Sequence, residues 1–512
     1  MKKKWWKRRW VIWCVWMPLG FLGFLIASYA WQTWREKKKW EATKQMVINA
    51  GQSLDYRDYL QPVSAVEKNA LESPEFRWLM NKYDPDDSGG LAVLFGVDFQ
   101  PGELSYVYLN WDDADVAKGL TLSVAQDFEN EDVEVMSNEQ AARAMLDSVA
   151  AQSELIDKVD ALLKYSVWQD PAAREHDNPI NVDNRDGELI QLSLWQMRCA
   201  AMHFQLNESV DGFRCLERVF RAVELAHAQR SVLGVLVEIT VKGKYMSALW
   251  QGLVLEQFNE EQLRKIDAVM KELPLMRERM IDALYVETAF GVAAMRVTMR
   301  DTTPDELEKQ FSNPVFDFKL SWTDRIVFRI LSLPFGYYRN QRLVVECRYA
   351  ALQEFETMEP KPLLSKLNDL IAAEASDRID NPTGLKVHIE MLAEGMLNGY
   401  GTMLDSISTA DALWNVGRSQ VAVARFKLTE GCYPSGFSEL VPNYLNAVPA
   451  DPFDGKPLRW TTDESGKPLI YSIGPDLTDD GGAVLDDDKN GDIRWLMTVQ
   501  GVNDESGNLP EE

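Results

Sequence analysis

Cysteine and histidine are scarce in this sequence, which holds five cysteines and four histidines among 512 residues. A chain of this length buries enough apolar surface to support several domains, so no disulfide framework is needed for folding. No two cysteines form a CxxC pair. Cys199 and Cys215 fall on consecutive predicted helices, where two interpretations stay open: a disulfide, or two buried small apolar side chains.

The sequence also lacks the motifs of common enzyme sites. It contains no G-x-S-x-G, no H-E-x-x-H, no Walker loop and no G-x-G-x-x-G. These patterns place a nucleophile, a zinc-bound water or a phosphate group. Nothing in the sequence prepares a nucleophile or a general base, so an enzyme is the less favoured interpretation.

Basic residues are sparse outside the N-terminus. The chain has 54 Lys and Arg against 79 Asp and Glu, and residues 1–44 hold eleven of the basic residues but only two of the acidic ones. The remainder therefore carries 43 basic and 77 acidic residues, a net charge of −34. Such a surface repels phosphate groups, so we expect no nucleic-acid partner, and the basic N-terminus indicates membrane topology instead.

An uncharged apolar run follows the basic tail. Residues 11–30 carry no charge over 20 positions, the length that a helix needs to span about 30 Å of hydrocarbon, and tryptophans flank the run on both sides. No small-x-small cleavage site precedes a polar start, so we predict an uncleaved single-pass anchor. With the tail MKKKWWKRR inside the cell, the acidic body lies outside the cytoplasm.

Helical periodicity dominates the middle of the chain. One apolar stripe at 3.6-residue spacing consists of Phe213, Leu216, Val219, Phe220 and Val223. Asn207 and Asn259 each precede an acidic residue and are predicted N-caps. Helices joined by short polar connections stack antiparallel, which predicts a helical bundle or a short α-solenoid.

Changes of pattern along the chain give the predicted domain organisation. Short alternating runs between residues 90 and 135 indicate strands, and a long helix is predicted from residue 387 to residue 430. The predicted segments are a basic cytoplasmic tail (1–10), a transmembrane helix (11–30), a juxtamembrane segment with a small β-containing module (31–136), a helical bundle or solenoid-like domain (137–385), a long helix with a β module and an acidic loop (386–498), and a disordered tail (499–512).

The stretch from Trp414 to Met497 has the most specific pattern. A helix that stops at Tyr433-Pro434 is followed by a Pro-rich crossing, a hairpin of Leu458–Trp460 with Leu469–Ile473, an acidic loop and a last strand. This order resembles the C-terminal region of the type II secretion major pseudopilin. Ser-Ile-Gly-Pro-Asp at residues 472–476 and Asp-Ile at residues 492–493 carry the resemblance.

The resemblance implies a small C-terminal α+β module on a mainly α protein. The N-terminal signature of pilins is different, because Leu25 stands where that family carries Glu. In a pilin subunit, moreover, the membrane span and the C-terminal helix are continuous, whereas here most of the chain separates them. A pseudopilin-like secretion or pilus-assembly role is therefore a minor alternative.

The acidic loop is the candidate metal site. Ca²⁺ takes several carboxylate and carbonyl oxygens on a flexible loop. Residues 486–493 reproduce the first half of an EF-hand loop, D-x-D-x-N-G-x-I, although Met497 occupies the position of the bidentate Glu. In the family that the segment resembles, aspartates at both ends of this loop bind calcium, which makes Asp476 and Asp492 ligand candidates. The complete predicted set is Asp476, Asp479, Asp480, Asp486, Asp488, Asn490 and Asp492. A solvated acidic turn is the alternative interpretation.

A second resemblance covers most of the chain. Residues 50–80, residues 333–355 and the C-terminal stretch are similar to an uncharacterised membrane-anchored protein group of planctomycete and verrucomicrobial bacteria. This resemblance implies the bacterial inner membrane and brings no known activity. We therefore expect a membrane-anchored extracytoplasmic scaffold or protein-interaction protein with an unidentified protein partner and a structural calcium site. The alternative from another class is an envelope-associated hydrolase with a cryptic active site.

Overall fold

Two compact units make up the chain, and each combines segments that are distant in sequence. The first contains residues 1–59, 174–182 and 284–402, and the second contains residues 60–173, 183–283 and 403–512. The computed structural model describes residues 16–60, 69–83, 153–169, 185–301, 333–358, 365–378, 401–463, 466–483 and 491–494, with isolated positions between 139 and 147 and between 303 and 325.

Helices account for most of the described residues, which confirms the mainly α fold class. The helices are α1 (Met17–Asn49), α2 (Pro74–Tyr83), α3 (Ser153–Leu162), α4 (Asp186–Gln205), α5 (Ser209–His227), α6 (Val232–Val254), α7 (Glu260–Glu272), α8 (Met276–Arg296), α9 (Pro334–Thr357), α10 (Ser365–Arg378), α11 (Gly401–Glu430) and α12 (Phe437–Leu440). The strands are β1 (Arg459–Thr462), β2 (Pro468–Ser472) and β3 (Ile493–Arg494).

In the first unit, the C-terminal half of α1 packs on α9. Glu36, Trp40, Thr43 and Val47 are the buried residues of α1, and their spacing places them along one face. Thr43 donates its hydroxyl hydrogen bond to Glu346 on α9 at 2.7 Å. Arg342, one turn before Glu346, lies 3.4 Å from the Glu36 carboxylate. The two helices are therefore joined by a stripe that mixes apolar contacts with a buried ion pair.

The N-terminal half of α1 has a different environment. Every residue from 16 to 27 is exposed, including Trp16 at 65%, Phe21 at 62% and Phe24 at 67%. None of the described helices is both long enough and apolar enough to cross a membrane. Of the predicted span at residues 11–30, residues 11–15 lie outside the described part of the chain.

In the second unit, α4, α5 and α6 pack against one another. The three-residue connection between α4 and α5 reverses the chain, as a short helix–helix loop must. All five residues of the predicted stripe on α5 are buried, and they join one large hydrophobic core with residues of α3, α4, α6 and α7. The helical packing predicted for this region is confirmed at this coarse level.

Helix α11 contributes to two hydrophobic cores. Trp414 and Val421 belong to the large core of the helical array, and Val416 and Val423 belong to a smaller core in the C-terminal module. The indole Nε1 of Trp414 donates a hydrogen bond to the carbonyl of Met270 at 3.2 Å. The helix therefore packs on the array along one face and carries the module on another.

The C-terminal module is a three-stranded antiparallel sheet in the order β1-β2-β3. Helix α11 ends at Glu430, where Gly431 adopts φ +74° and closes the helix in the left-handed conformation that glycine allows. Strand β1 pairs with β2 through Trp460 and Ile470, and β2 pairs with β3 through Ser472 and Ile493. The predicted end of the helix and the predicted hairpin are confirmed.

Several predicted segments lie outside the described residues. They are the basic tail at residues 1–10, the strands predicted between residues 90 and 135, and the tail at residues 499–512.

Candidate functional site

Asp451 lies at the edge of the C-terminal module where the acidic loop begins. This side chain is completely buried, and Arg459 on β1 lies 2.9 Å from one of its oxygens. The Ser472 hydroxyl donates to Asp451 at 2.8 Å, and the backbone N–H of Ile473 donates at 2.9 Å. The carboxylate therefore fixes the end of β2, where the chain enters the loop.

The two ends of the acidic loop meet at a pair of glycines. Gly474 has φ +69°, and a Cβ atom at this position would overlap the carbonyl oxygen of Gly491. Glycine is thus required at residue 474 for two reasons, the backbone conformation and the close approach. The loop begins and ends at one place beside β2 and β3.

Asp476 and Asp479 have hydrogen-bond partners within the loop region. Asp476 accepts the N–H of Thr478 at 3.0 Å, which is a local turn contact. Asp479 accepts the hydroxyl hydrogen bond of Tyr471 at 2.9 Å and the N–H of Gly481 at 3.2 Å. Burial, together with the hydrogen bond and negative charge of Asp479, raises the pKa of Tyr471 to about 12.

Asp480 and Asp492 leave carboxylate oxygens without donors. Asp492 is 3% exposed, and its Oδ2 accepts the N–H of Gly482 at 2.6 Å. Within the described residues, no donor reaches Oδ1 of Asp492 or Oδ2 of Asp480, and both atoms are buried. Burial, followed by the charges of Asp479 and Asp480, raises the pKa of Asp492 against the effect of the Gly482 N–H. A cation at these oxygens would supply the missing partner.

The structure thus shows an electrostatic interaction among three of the predicted ligands and a local turn contact at a fourth. Asp479, Asp480 and Asp492 interact through their charges, whereas Asp476 is engaged in its own turn. Asp486, Asp488 and Asn490 lie outside the described residues. In the part of the chain that the structure describes, no three His, Cys, Asp or Glu side chains are grouped so that they could hold a metal ion. The calcium site stays a prediction.

A buried charge network inside the second unit was not predicted from the sequence. Its centre is Glu238 on α6, whose side chain is completely buried. Nζ of Lys242 lies 2.9 Å from Oε1 of Glu238, Nε of Arg279 lies 3.2 Å from Oε2, and Nδ1 of His227 lies 3.1 Å from Oε1. Lys242 also lies 5.0 Å from the centre of the Trp414 ring. The network therefore connects α5, α6, α8 and α11.

Asp411 extends the network by capping α8 from another helix. The two Asp411 oxygens accept the backbone N–H groups of Met276 at 2.7 Å and Arg277 at 3.1 Å. These N–H groups belong to the first turn of α8 and have no acceptor within that helix. Arg279, one turn further, donates to the carbonyls of His227 and Gln229.

The pKa values of the two buried carboxylates of the network are shifted in opposite directions. Burial alone would raise the pKa of Glu238, but the hydrogen bond from His227 and the charges of Lys242, His227 and Arg279 outweigh it and lower the pKa to about 2. Burial raises the pKa of Asp411 to about 6, and the two N–H donors only partly offset this effect. Opposed shifts of this kind also occur in acid–base sites, but both side chains are occupied in joining helices and are almost fully buried.

One sequence signal could have revealed this network. Helix α6 is apolar along most of its length, yet Glu238 and Lys242 stand four residues apart within it. An ion pair at this spacing inside an apolar stretch indicates that charges are buried together. The partners on α8 and α11 are too distant in sequence to be inferred.

Comparison of the chain with protein families, with curated proteins and with solved structures finds no match. What the chain does is therefore inferred from its own residues and contacts.

Proposed function

We propose that this protein is a membrane-anchored extracytoplasmic scaffold of the bacterial inner membrane, with its N-terminus in the cytoplasm and a helical body that binds another protein. The observation that carries the proposal is the contrast between the two halves of α1. One half packs on α9, and the other presents apolar side chains in all directions. A helix that is apolar all round is stable where lipid or protein surrounds it.

The exposed half of α1 carries a large free-energy cost in water. Each fully exposed large apolar side chain costs about 1.5–3 kcal/mol relative to burial. Residues 16–27 include eight large apolar side chains with exposures between 46% and 67%: Trp16, Met17, Leu19, Phe21, Leu22, Phe24, Leu25 and Ile26. The apolar sequence continues upstream through residues 11–15. Insertion into hydrocarbon removes this cost and supports the anchor.

Removing residues 1–30 is expected to release the protein from the membrane. The truncated chain keeps the buried stripe of α1 from Glu36 to Val47 and therefore its packing on α9. In cell fractionation with an alkaline carbonate wash, we expect the full chain in the pellet and the truncated chain in the supernatant. A matched control removes residues 499–512, which should leave the chain in the pellet.

Retention of the truncated chain in the washed membrane would contradict the anchor. The orientation is tested separately by adding protease to spheroplasts, which should digest the body beyond about residue 40. Protection of the body until the membrane is lysed would contradict the extracytoplasmic location.

The role as a scaffold is supported by the structural use of buried polar groups in the second unit. Glu238 and Asp411, its most strongly perturbed carboxylates, join helices. Crosslinking of the anchored full chain in its native membrane, followed by mass spectrometry, should capture a defined protein partner. Recovery of the chain crosslinked only to itself would contradict a scaffold for another protein.

We also propose that the C-terminal module is pseudopilin-like and that its acidic loop binds structural calcium. The order of helix, turn, hairpin, loop and final strand supports the first statement. The second is supported by the buried oxygens of Asp480 and Asp492 that no donor among the described residues reaches, because Ca²⁺ takes carboxylate oxygens and relieves their mutual repulsion. A loop of this kind binds calcium with a Kd of about 10⁻⁴ to 10⁻³ M.

Millimolar calcium is expected to raise the melting temperature of the protein. Binding to the folded state alone stabilises it by about 1 kcal/mol at a few times Kd, or roughly 2–4 °C for a unit of this size. Asp492→Asn keeps an acceptor for Gly482 but removes the charge, so it should abolish the response. Asp211→Asn, at an exposed position on α5, is the matched control and should keep it. Equal melting curves in calcium and in chelator, with a flat calorimetric titration, would leave the solvated acidic turn as the correct interpretation.

A further inference from the structure

Two cysteines of the helical array lie side by side. Cys199 on α4 and Cys215 on α5 are both buried, and their thiols are hydrogen-bonded to each other. Each is eight residues from Asn207 in the connecting turn. At 1.5 Å per residue, both lie about 12 Å from that turn, so an antiparallel pair of helices brings them to the same level.

The two helices approach closely between the turn and the cysteines. A Cβ atom at Gly212 on α5 would overlap the ring of Phe204 on α4, so the ring can pack at this position because residue 212 is a glycine. Ala200, next to Cys199, is fully buried as well. The two helices are therefore in direct contact between the turn and the cysteines.

The two thiols have different electrostatic environments. The Cys199 S–H donates to the sulfur of Cys215, which raises the pKa of Cys199 and lowers that of Cys215. Arg218 adds a positive charge, with Nη1 3.8 Å from the Cys215 sulfur. Asp160 holds Arg218 in place through an ion pair at 2.6 Å. Cys215 is therefore the thiol that more readily becomes a thiolate.

We propose that Cys199 and Cys215 are an oxidation site, at which a small organic disulfide converts the two thiols into an intramolecular disulfide that links α4 to α5. The Cys215 thiolate attacks one sulfur of the organic disulfide, forms a mixed disulfide and releases one thiolate. Cys199 then loses its proton to solvent, attacks the Cys215 sulfur and releases the second thiolate. Two protein thiols are oxidised, and the organic disulfide is reduced to two thiols after it takes up both protons.

This oxidation site is independent of the membrane anchor and of calcium binding. It rests on two adjacent thiols of one helical hairpin within the second unit. Because both thiols are buried, the organic disulfide reaches Cys215 when the two helices open locally, and the disulfide, once formed, is protected from added reductant until they open again.

The test uses the full chain in detergent, fully reduced and then incubated with oxidised glutathione. After acid quenching, denaturation and alkylation, we expect one cross-linked peptide pair that contains Cys199 and Cys215, while the exposed Cys432 carries a free thiol or a glutathione adduct. Cys199→Ser should trap a glutathione adduct on Cys215, because the second step is missing. In Cys215→Ser, adduct formation at Cys199 should be slower by about tenfold or more. Cys347→Ser is the matched control and should form the same linked pair.

The linked peptides of the unmutated chain decide the result even where a serine variant folds poorly. Recovery of both cysteines as free thiols would overturn the proposal. So would a link from either of them to Cys432, or glutathione adducts on Cys215 that persist while Cys199 is present.

Discussion

Replacing Glu238 with Gln is expected to lower the free energy of unfolding by about 3–5 kcal/mol, because Lys242 and Arg279 lose the buried carboxylate that both contact and Arg279 keeps only the longer ion pair with Asp282. The side chain keeps its volume, so the loss reports on charge and not on a cavity. Lys242 is 5% exposed and Arg279 is 9% exposed, so neither regains much hydration in the folded state. Urea denaturation followed by circular dichroism measures the change.

A matched control is the same substitution at Glu261 on α7. Its side chain is 80% exposed and its partner Lys265 is 56% exposed, so the change should stay within about 0.5 kcal/mol. In the double variant Glu238→Gln with Lys242→Met, one orphaned charge is gone, and the loss should be smaller than the sum of the two single losses by about 1 kcal/mol or more. Additive losses, or a loss under about 1 kcal/mol at Glu238, would contradict a charge-balanced network.

Local chemistry explains which parts of the fold were predictable. The predicted N-cap Asn259 is confirmed, since its side chain and that of Gln262 form a capping box at the start of α7. The predicted N-cap Asn207 was wrong. Glu208 is the residue that precedes α5, and Asn207 instead adopts φ 58° in the turn between α4 and α5. A three-residue reversal needs a left-handed residue, and asparagine accepts that conformation more readily than most residues.

The spacing of apolar residues predicted which face of a helix is buried, but not which element packs against that face. The stripe on α5 is buried as predicted, because its members share one face whatever lies opposite. The acceptor at the start of α8 comes from Asp411, which is 135 residues further along the chain than Met276. Periodicity within a helix carries no information about such a contact. For the same reason, the sequence identified the acidic loop but not the charge interaction of Asp480 with the buried Asp492.

The buried carboxylate of Asp411 makes the free energy of unfolding depend on pH. Burial raises the pKa of Asp411 from the ordinary 3.8 to about 6, so the folded state binds the proton more tightly than the unfolded chain does. The cost of the buried charge is fully present above about pH 6 and is lost progressively as the pH falls from about 6 to 3.8. The pKa of Glu238 is about 2 in the fold against 4.5, so its stabilising effect is lost only as the pH falls from 4.5 toward 2.

The free energy of unfolding should therefore rise by about 1 kcal/mol from Asp411 as the pH is lowered from about 7 to about 5. Below about pH 4.5 the loss of the Glu238 contribution offsets this gain, and below 3.8 it lowers the free energy of unfolding. Asp411→Asn keeps an acceptor oxygen for the N-terminus of α8 and removes the titration, so urea denaturation across the pH series should show no such rise. Subtracting the curve of this variant from that of the unmutated chain cancels the contributions of the other groups that titrate in this range. The control variant Asp211→Asn, at an exposed position on α5, is expected to follow the unmutated chain. Parallel curves for the unmutated chain and Asp411→Asn would mean that Asp411 is already protonated at about pH 7 or has an ordinary pKa in the fold, and either outcome contradicts the charge assignment of the network.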